Sequence, residues 1–138
     1  MAKTVLIDCG PIVAVLRRRD QYHSWARAHF ESSNESFATC EAVISESHFL
    51  LAGTAGGTAA LYALLARGII NVPFSLTNQL SETARLIRRY RDVPVSLADA
   101  CLVRMSELDE QTVVFTTDTD FRLYRRNGRQ VIPLIIPP

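Results

Sequence analysis

The sequence predicts an α/β fold, a three-layer α/β/α sandwich around a central, mainly parallel sheet. Three observations lead there. Short runs of β-branched and apolar residues recur along the chain, helical periodicity fills the intervals between them, and those intervals are as long as the crossovers that parallel neighbours require. The size agrees, because 138 residues with 48% hydrophobic side chains bury roughly two thirds of their unfolded surface, enough for one core but not two. A single domain over residues 1–138 is expected, and that apolar content excludes a disordered chain.

Thr4 to Ile7 is a short β-rich run that ends in a charge, Asp8, and Gly10-Pro11 opens a helix through Leu16. A second helix is expected from Gln21 to Glu31, with Asp20 as N-cap and Trp25, Ala26 and Phe30 on its apolar face. Ser36 to Ala38 reads as a brief strand. Thr39 then caps a helix to about Ala52, and Thr58 to Ala66 forms the next, stopped by Gly68. Ile69 to Val72 is a strand bounded by Pro73. Ser75 or Thr77 starts a long helix that ends before Pro94, with Leu80, Ala84 and Ile87 inward and its arginines outward. Ser96 begins a helix carrying Leu97, Cys101, Met105 and Leu108 on one face. Gln111 to Phe115 and Val131 to Ile136 are the last strands.

The charge balance excludes global attraction to polyanions. Fifteen basic residues against 14 acidic ones leave a net charge of +1, so a nucleic acid must be held by a local patch. Only Lys3 among the basic residues is lysine; the rest are arginine, whose planar fork suits phosphate. Cys9, Cys40 and Cys101 are odd in number and widely spaced, which reads as reduced, buried thiols of a cytoplasmic protein. The apolar run before Asp8 is too short for a secretory signal. Ser47 to Ala66 contains no Asp, Glu, Lys or Arg over the length of a membrane span, but Gly53, Gly56 and Gly57 divide it into two helices, and no membrane segment is expected.

In parallel sheets ligands sit outside the carboxyl ends of the strands, and acids fall there repeatedly. Asp8 follows the first strand, Asp118 and Asp120 follow Val113 to Phe115, and Asp99 lies in the first turn of its helix. Residues two apart in an extended segment share a side, so Asp118 and Asp120 face one cleft. Glu46 enters on helical geometry: Ala42, Val43, Phe49 and Leu50 lie within about 60° of it around the helix, which places a carboxylate in the middle of an apolar face. Glu41, about 140° away in the first turn, meets the helix dipole and is structural. Each acid also has a plainer reading, since Ser96 to Asp99 has capping-box spacing and the others can serve turns. If the four converge, two carboxylates about 4 Å apart repel by roughly 4 kcal/mol at an effective dielectric of 20. A hard cation, Mg²⁺ or Mn²⁺, relieves that repulsion and suits all-oxygen ligands. A metal-dependent nuclease or phosphatase follows.

These residues also resemble a known family. Val5-Leu6-Ile7-Asp8 with Gly10-Pro11 and Ala14, Asp20 with His23, Thr39 followed by Val43, Glu46 and Leu50-Leu51, Ser96-Leu97-Ala98-Asp99-Ala100, and Thr116-Thr117-Asp118-Thr119-Asp120-Phe121 are together similar to the PIN-domain ribonucleases, in particular VapC-like toxins of toxin-antitoxin pairs. The resemblance covers nearly the whole chain and rests on order and spacing. It implies a PIN-like fold, an endoribonuclease, and a Mg²⁺ or Mn²⁺ site of Asp8, Glu46, Asp99 and an acid of the last segment, Asp118 ranking ahead of Asp120. Cys9 stands where relatives often carry Ser or Thr. A small antitoxin protein and a homodimer are the implied partners, for which the apolar segment Phe49 to Leu65 offers surface.

For contact with RNA the chain offers Arg17 to Arg19, then Arg88, Arg89 and Arg91, then Arg122, Arg125, Arg126 and Arg129. The last cluster follows Asp118 and Asp120 directly, so Arg122, Arg125 and Arg126 are expected to bind substrate, with Thr117 as a hydroxyl for water or phosphate. Thr117 equally suits a turn, and His23, on the second helix, suits packing better than base catalysis. A phosphoacceptor of the receiver type needs a lysine near its last strand, where there is none, and an aspartyl-nucleophile phosphohydrolase needs Asp-x-Asp where this chain has Asp8-Cys9-Gly10. A PIN-like RNA- or protein-binding module with little nuclease activity stays open.

Overall fold

Five parallel strands form the central sheet of the computed structural model, which describes residues 3–138. They are β1 (Thr4–Ile7), β2 (Ser36–Ala38), β3 (Ile70–Asn71), β4 (Thr112–Phe115) and, after a small hairpin of β5 (Arg125–Arg126) and β6 (Gln130–Val131), β7 (Leu134–Ile135). Their order is β3-β2-β1-β4-β7, all pairs parallel, and β5 pairs antiparallel with β6. Six helices make the connections: α1 (Cys9–Leu16), α2 (His23–Ser32), α3 (Glu41–Leu51), α4 (Gly57–Ala66), α5 (Leu80–Arg89) and α6 (Leu97–Leu108).

The order of the strands fixes where a ligand can sit. From β1 the chain steps outward through β2 to β3, then returns past β1 to β4 on its other side. Right-handed crossovers put α1 to α4 on one face and α5 and α6 on the other, and α1 packs on α2 and α3 while α5 packs on α6. The reversal makes the β1/β4 boundary a topological switch point, the place where open α/β sheets bind ligands. Register fixes its floor, with Ile7 opposite Phe115, so Asp8 and Thr116 emerge side by side. Below them the core is Val5, Leu6 and Ile7 with Val114 and Phe115, roofed by Ile12 and Val13 of α1 and Leu102 and Val103 of α6.

Several local expectations change. Thr39 does not cap α3; its hydroxyl donates to the Ile7 carbonyl at 2.7 Å and ties β2 to β1, while Cys40 occupies the cap position without a side-chain bond. Asp20 closes a turn, accepting from the Tyr22 amide at 2.9 Å, and Tyr22 precedes α2. On α5 the buried side chains are Thr83 and Leu86, whereas Leu80 and Ile87 are exposed, because the face that meets α6 lies one residue to the side of the apolar repeat. The last strand is divided in two because Pro133 has no amide to donate; Pro133 instead gives its carbonyl to the Val114 amide at 2.9 Å. The charge-free stretch is broken between α3 and α4, and among the described residues no helix is long and apolar enough to cross a membrane. All three cysteines are free and buried.

Candidate active site

The site begins with Asp8. Its amide donates to the Phe115 carbonyl at 2.9 Å, continuing the β1/β4 ladder one residue past the strand, and its side chain is then turned into the switch point. One carboxylate oxygen accepts from the Cys9 amide at 2.7 Å and caps α1; the other accepts from the Thr116 hydroxyl at 2.7 Å. Thr116 also receives the Asp118 amide at 2.9 Å, and Asp118 receives the Asp120 amide at 2.8 Å. The segment after β4 is thus folded back on itself so that Asp118 caps a 3₁₀ turn over Thr119–Arg122. Gly10 lets the two turns meet. A Cβ there would collide with the Thr117 side chain, whose own Cβ would lie 3.2 Å away, so Gly10 is required by close approach. Thr117 is held against that glycine.

Asp99 arrives from the opposite face of the sheet, at the third position of α6. Its amide donates to the Ser96 hydroxyl at 3.0 Å and its carboxylate receives the Ser96 amide at 3.5 Å, so the capping box is real. It does not exhaust the side chain. Tyr124, wholly buried, donates its hydroxyl to the same carboxylate at 2.9 Å. The Tyr124 ring is clamped edge-on by Phe121 and Tyr90, at centroid distances of 5.1 and 5.0 Å. Capping and functional readings of Asp99 are therefore both satisfied by one geometry.

The electrostatics follow from burial. Asp8 is 7% exposed, and desolvation lifts its pKa from 3.8 to about 6 despite the bonds from Thr116 and Cys9, with the charges of Asp99 and Asp118 adding to the rise. Burial also raises Asp99, against the lowering effect of Tyr124 and Ser96, and the neighbouring Asp118 raises it further. Asp99 in turn adds to the rise of Glu46, whose main cause is desolvation. Asp8, Asp99 and Asp118 thus share one field, with Glu46 coupled to it through Asp99. As placed, no three His, Cys, Asp or Glu side chains among the described residues are gathered closely enough to enclose an ion.

Glu46 differs from expectation. It is exposed, and so are Phe49 and Leu50 beside it, at 68% and 50%. The buried seam of α3 is Val43, Ser47 and Leu51, spaced by four, because α1 claims that stripe. Glu46 stands instead on the rim of a cleft of about 460 Å³ that it lines with Cys40, Phe74, Leu97 and Cys101. Among the expected substrate contacts, Arg122 is exposed, Arg125 turns its guanidinium to the carbonyls of Arg122 and Tyr124 at 2.7 and 3.0 Å, and Arg126 is buried. His23 is a packing residue, its ring nitrogen 2.7 Å from the Ala14 carbonyl.

Sequence reasoning passed over Thr116 and Tyr124 as supports of the acids. Nothing local marks them, since they reach across 108 and 25 residues to Asp8 and Asp99. Tyr124→Phe keeps the ring packing and removes one bond to a buried carboxylate, a loss worth about 1.5–3 kcal/mol. Chemical denaturation at neutral pH is expected to register that loss, and an unchanged midpoint would remove Tyr124 from the site.

No family model matches the chain, and no curated protein matches it in sequence. The fold is similar to that of a solved structure, VapC20 of Mycobacterium tuberculosis, described as a toxin that cleaves the sarcin-ricin loop. The two superpose with a TM-score of 0.75 at 17% identity, over 84% of this chain and 91% of that one. The chain has a VapC-like, PIN-type fold.

Proposed function

We propose that the protein is a metal-dependent endoribonuclease, a single domain over residues 1–138 acting in the cytoplasm as the toxin of a toxin-antitoxin pair. The observation that carries the reading is Asp8: a buried carboxylate at the switch point of the sheet, raised to about 6 and facing the charges of Asp99 and Asp118. Such a cluster opposes its own ionisation unless a cation joins it. The donor set fits a hard divalent ion, because every candidate ligand is a carboxylate oxygen. Asp8, Asp99 and Asp118 would hold Mg²⁺ or Mn²⁺, with Glu46 and Asp120 at the rim. The ion would supply charge compensation to a phosphodiester and acidify a bound water.

The chain's own residues do the positioning. Thr116 and the Cys9 amide fix both oxygens of Asp8, and Tyr124 and Ser96 fix Asp99, so the carboxylates need little reorganisation. Thr117 and Arg122 lie on the segment that runs out of the site and are proposed to meet RNA, whereas Arg125 is held by the carbonyls of Arg122 and Tyr124 and Arg126 is buried. The groove between α3 and α4, lined by Ile44, His48, Tyr62, Leu65 and Val72 and flanked by exposed Phe49 and Leu50, is the proposed seat of an antitoxin helix or of a second copy.

Incubation of the pure protein with a mixed RNA pool that includes a sarcin-ricin-loop hairpin, the substrate named for VapC20, tests the reading. Cleavage is expected with Mn²⁺ and not with chelator. A pool left intact under both conditions would favour a PIN-like binding module.

A further inference from the structure

The three consecutive arginines after α1 belong to no catalytic group, and the structure gives them a cleft. Leu16, Arg17, Arg18, Arg19, Gly53, Thr54 and Ala55 enclose a volume of about 720 Å³ between the end of α1 and the link from α3 to α4. One wall is cationic. The other is built of short side chains, and even a Cβ added at Gly53 would meet nothing within 4 Å. Arg17 is anchored, its guanidinium donating to the Thr54 hydroxyl at 3.1 Å and to the Leu50 carbonyl, so one positive group is held in place on the wall. Arg18 and Arg19 are exposed.

Among the described residues no carboxylate lies within 4.0 Å of any of these three; the ion pairs present are Arg27 with Glu31, Arg85 with Glu82, and Arg104 with Glu107. The nearest acid in sequence, Asp20, is engaged with the Tyr22 amide. The other basic clusters are largely spent on their own structure. Arg89 donates to the Gly128 carbonyl, Arg91 to that of Arg88, Arg125 to its neighbours, and Arg126 is buried. A concave wall carrying three guanidinium groups without a carboxylate partner, two of them exposed, attracts anions.

The cleft lies one helix length from Asp8. Asp8 caps the first turn of α1 and Arg17 follows its last, while Thr54 lies three residues past the end of α3, which packs beside α1. The separation is about 12 Å for eight helical residues, roughly three to four nucleotides of stacked strand at 3.4 Å each. We propose that the Arg17–Arg18–Arg19 cleft is a phosphate subsite that holds single-stranded RNA a few nucleotides away from the bond positioned at Asp8. This rests on the ribonuclease reading for its ligand, but its chemistry does not need the reaction.

Binding of a fluorescein-labelled oligouridylate of about 12 nucleotides, followed by anisotropy in chelator, separates the two. The double variant Arg18→Ala/Arg19→Ala is expected to bind about tenfold more weakly and to flatten the salt dependence by about 1.4, the slope of two lost single-strand phosphate contacts. Arg18→Lys/Arg19→Lys should recover most of the affinity, and melting curves of all three proteins should coincide. Equal affinity and slope in wild type and double variant would overturn the subsite, as would a wild type that binds no RNA, or arginine-dependent capture of an acidic peptide in place of RNA. Cleavage with Mn²⁺ is scored separately. Arginine-dependent binding without cleavage sinks the nuclease and leaves the subsite standing; cleavage with binding indifferent to Arg18 and Arg19 does the reverse.

Discussion

Asp8→Asn is expected to abolish RNA cleavage while leaving a more stable protein. The amide keeps the shape of the side chain, and its oxygen can still accept from Cys9 or Thr116, which hold the carboxylate at 2.7 Å. It removes a negative charge that burial opposes. It also removes a charge from the place at the strand ends where the charges of Asp99 and Asp118 act on Asp8. Loss of the ligand charge should cost about 3 kcal/mol or more of transition-state stabilisation, a hundredfold or more in rate. Asp99→Asn should lose activity comparably with less gain in stability, because it also gives up the charge-assisted bonds from Tyr124 and Ser96 that partly offset the burial of Asp99. Cleavage rates on one RNA and melting temperatures of the three proteins decide it; variants that cleave like wild type would end the proposal.

The acids that follow strands were legible because strand geometry is local. A β-rich run of four residues ending in Asp8, and another ending before Thr116, leave little choice about where the next side chains emerge, and the parallel register then sets them side by side. Asp99 was legible for a related reason, since a helix N-terminus after Pro94-Val95-Ser96 has a local signature. Glu46 lies on the helix that the sequence predicts, but on an exposed part of it. A helical wheel identifies an apolar arc but not which part of it the tertiary structure covers, and α3 turns Val43, Ser47 and Leu51 inward while Phe49 and Leu50 stay exposed. The same error of phase occurs on α5, where Leu80 and Ile87 are left in solvent. Both helices therefore present apolar surface that the monomer does not use.

What could not be read is long-range support. The hydroxyl of Tyr124 reaches Asp99 only because Phe121 and Tyr90 wedge its ring between the 3₁₀ turn and the end of α5. Tyr90 in turn receives the Arg125 amide at 2.9 Å, linking the basic hairpin to the same cluster. The hairpin itself, two residues to a strand and arginine-rich on one side, carries no strand signal. Three aromatic rings thus connect an acid of the proposed metal site to the arginine-bearing hairpin, an arrangement that appears only when the chain is folded.

The metal-free protein is expected to gain stability as the pH falls from 7.5 to 5, the reverse of ordinary acid destabilisation. The sign follows from Asp8. Its folded pKa of about 6 lies above the value of 3.8 it would have in the unfolded chain, so the unfolded state releases its proton first. The associated stability is fully present below the unfolded value and is lost as the pH rises through about 6. The difference corresponds to about 3 kcal/mol at neutral pH, and the upward shifts of Asp99 and Glu46 act in the same direction. A divalent ion should offset the loss from the other side: at ten times its dissociation constant it adds roughly 1.4 kcal/mol, and only to the folded state. Melting curves in chelator at pH 5 and 7.5, repeated with millimolar Mn²⁺ at pH 7.5, should therefore show a higher midpoint at pH 5 and a metal-dependent rise at pH 7.5. In Asp8→Asn most of the pH response and most of the metal response should disappear together, because one carboxylate is the source of both. A wild type whose melting point falls on acidification and ignores Mn²⁺ would show that Asp8, Asp99 and Asp118 do not act as one charged cluster, and the metal site would go with it.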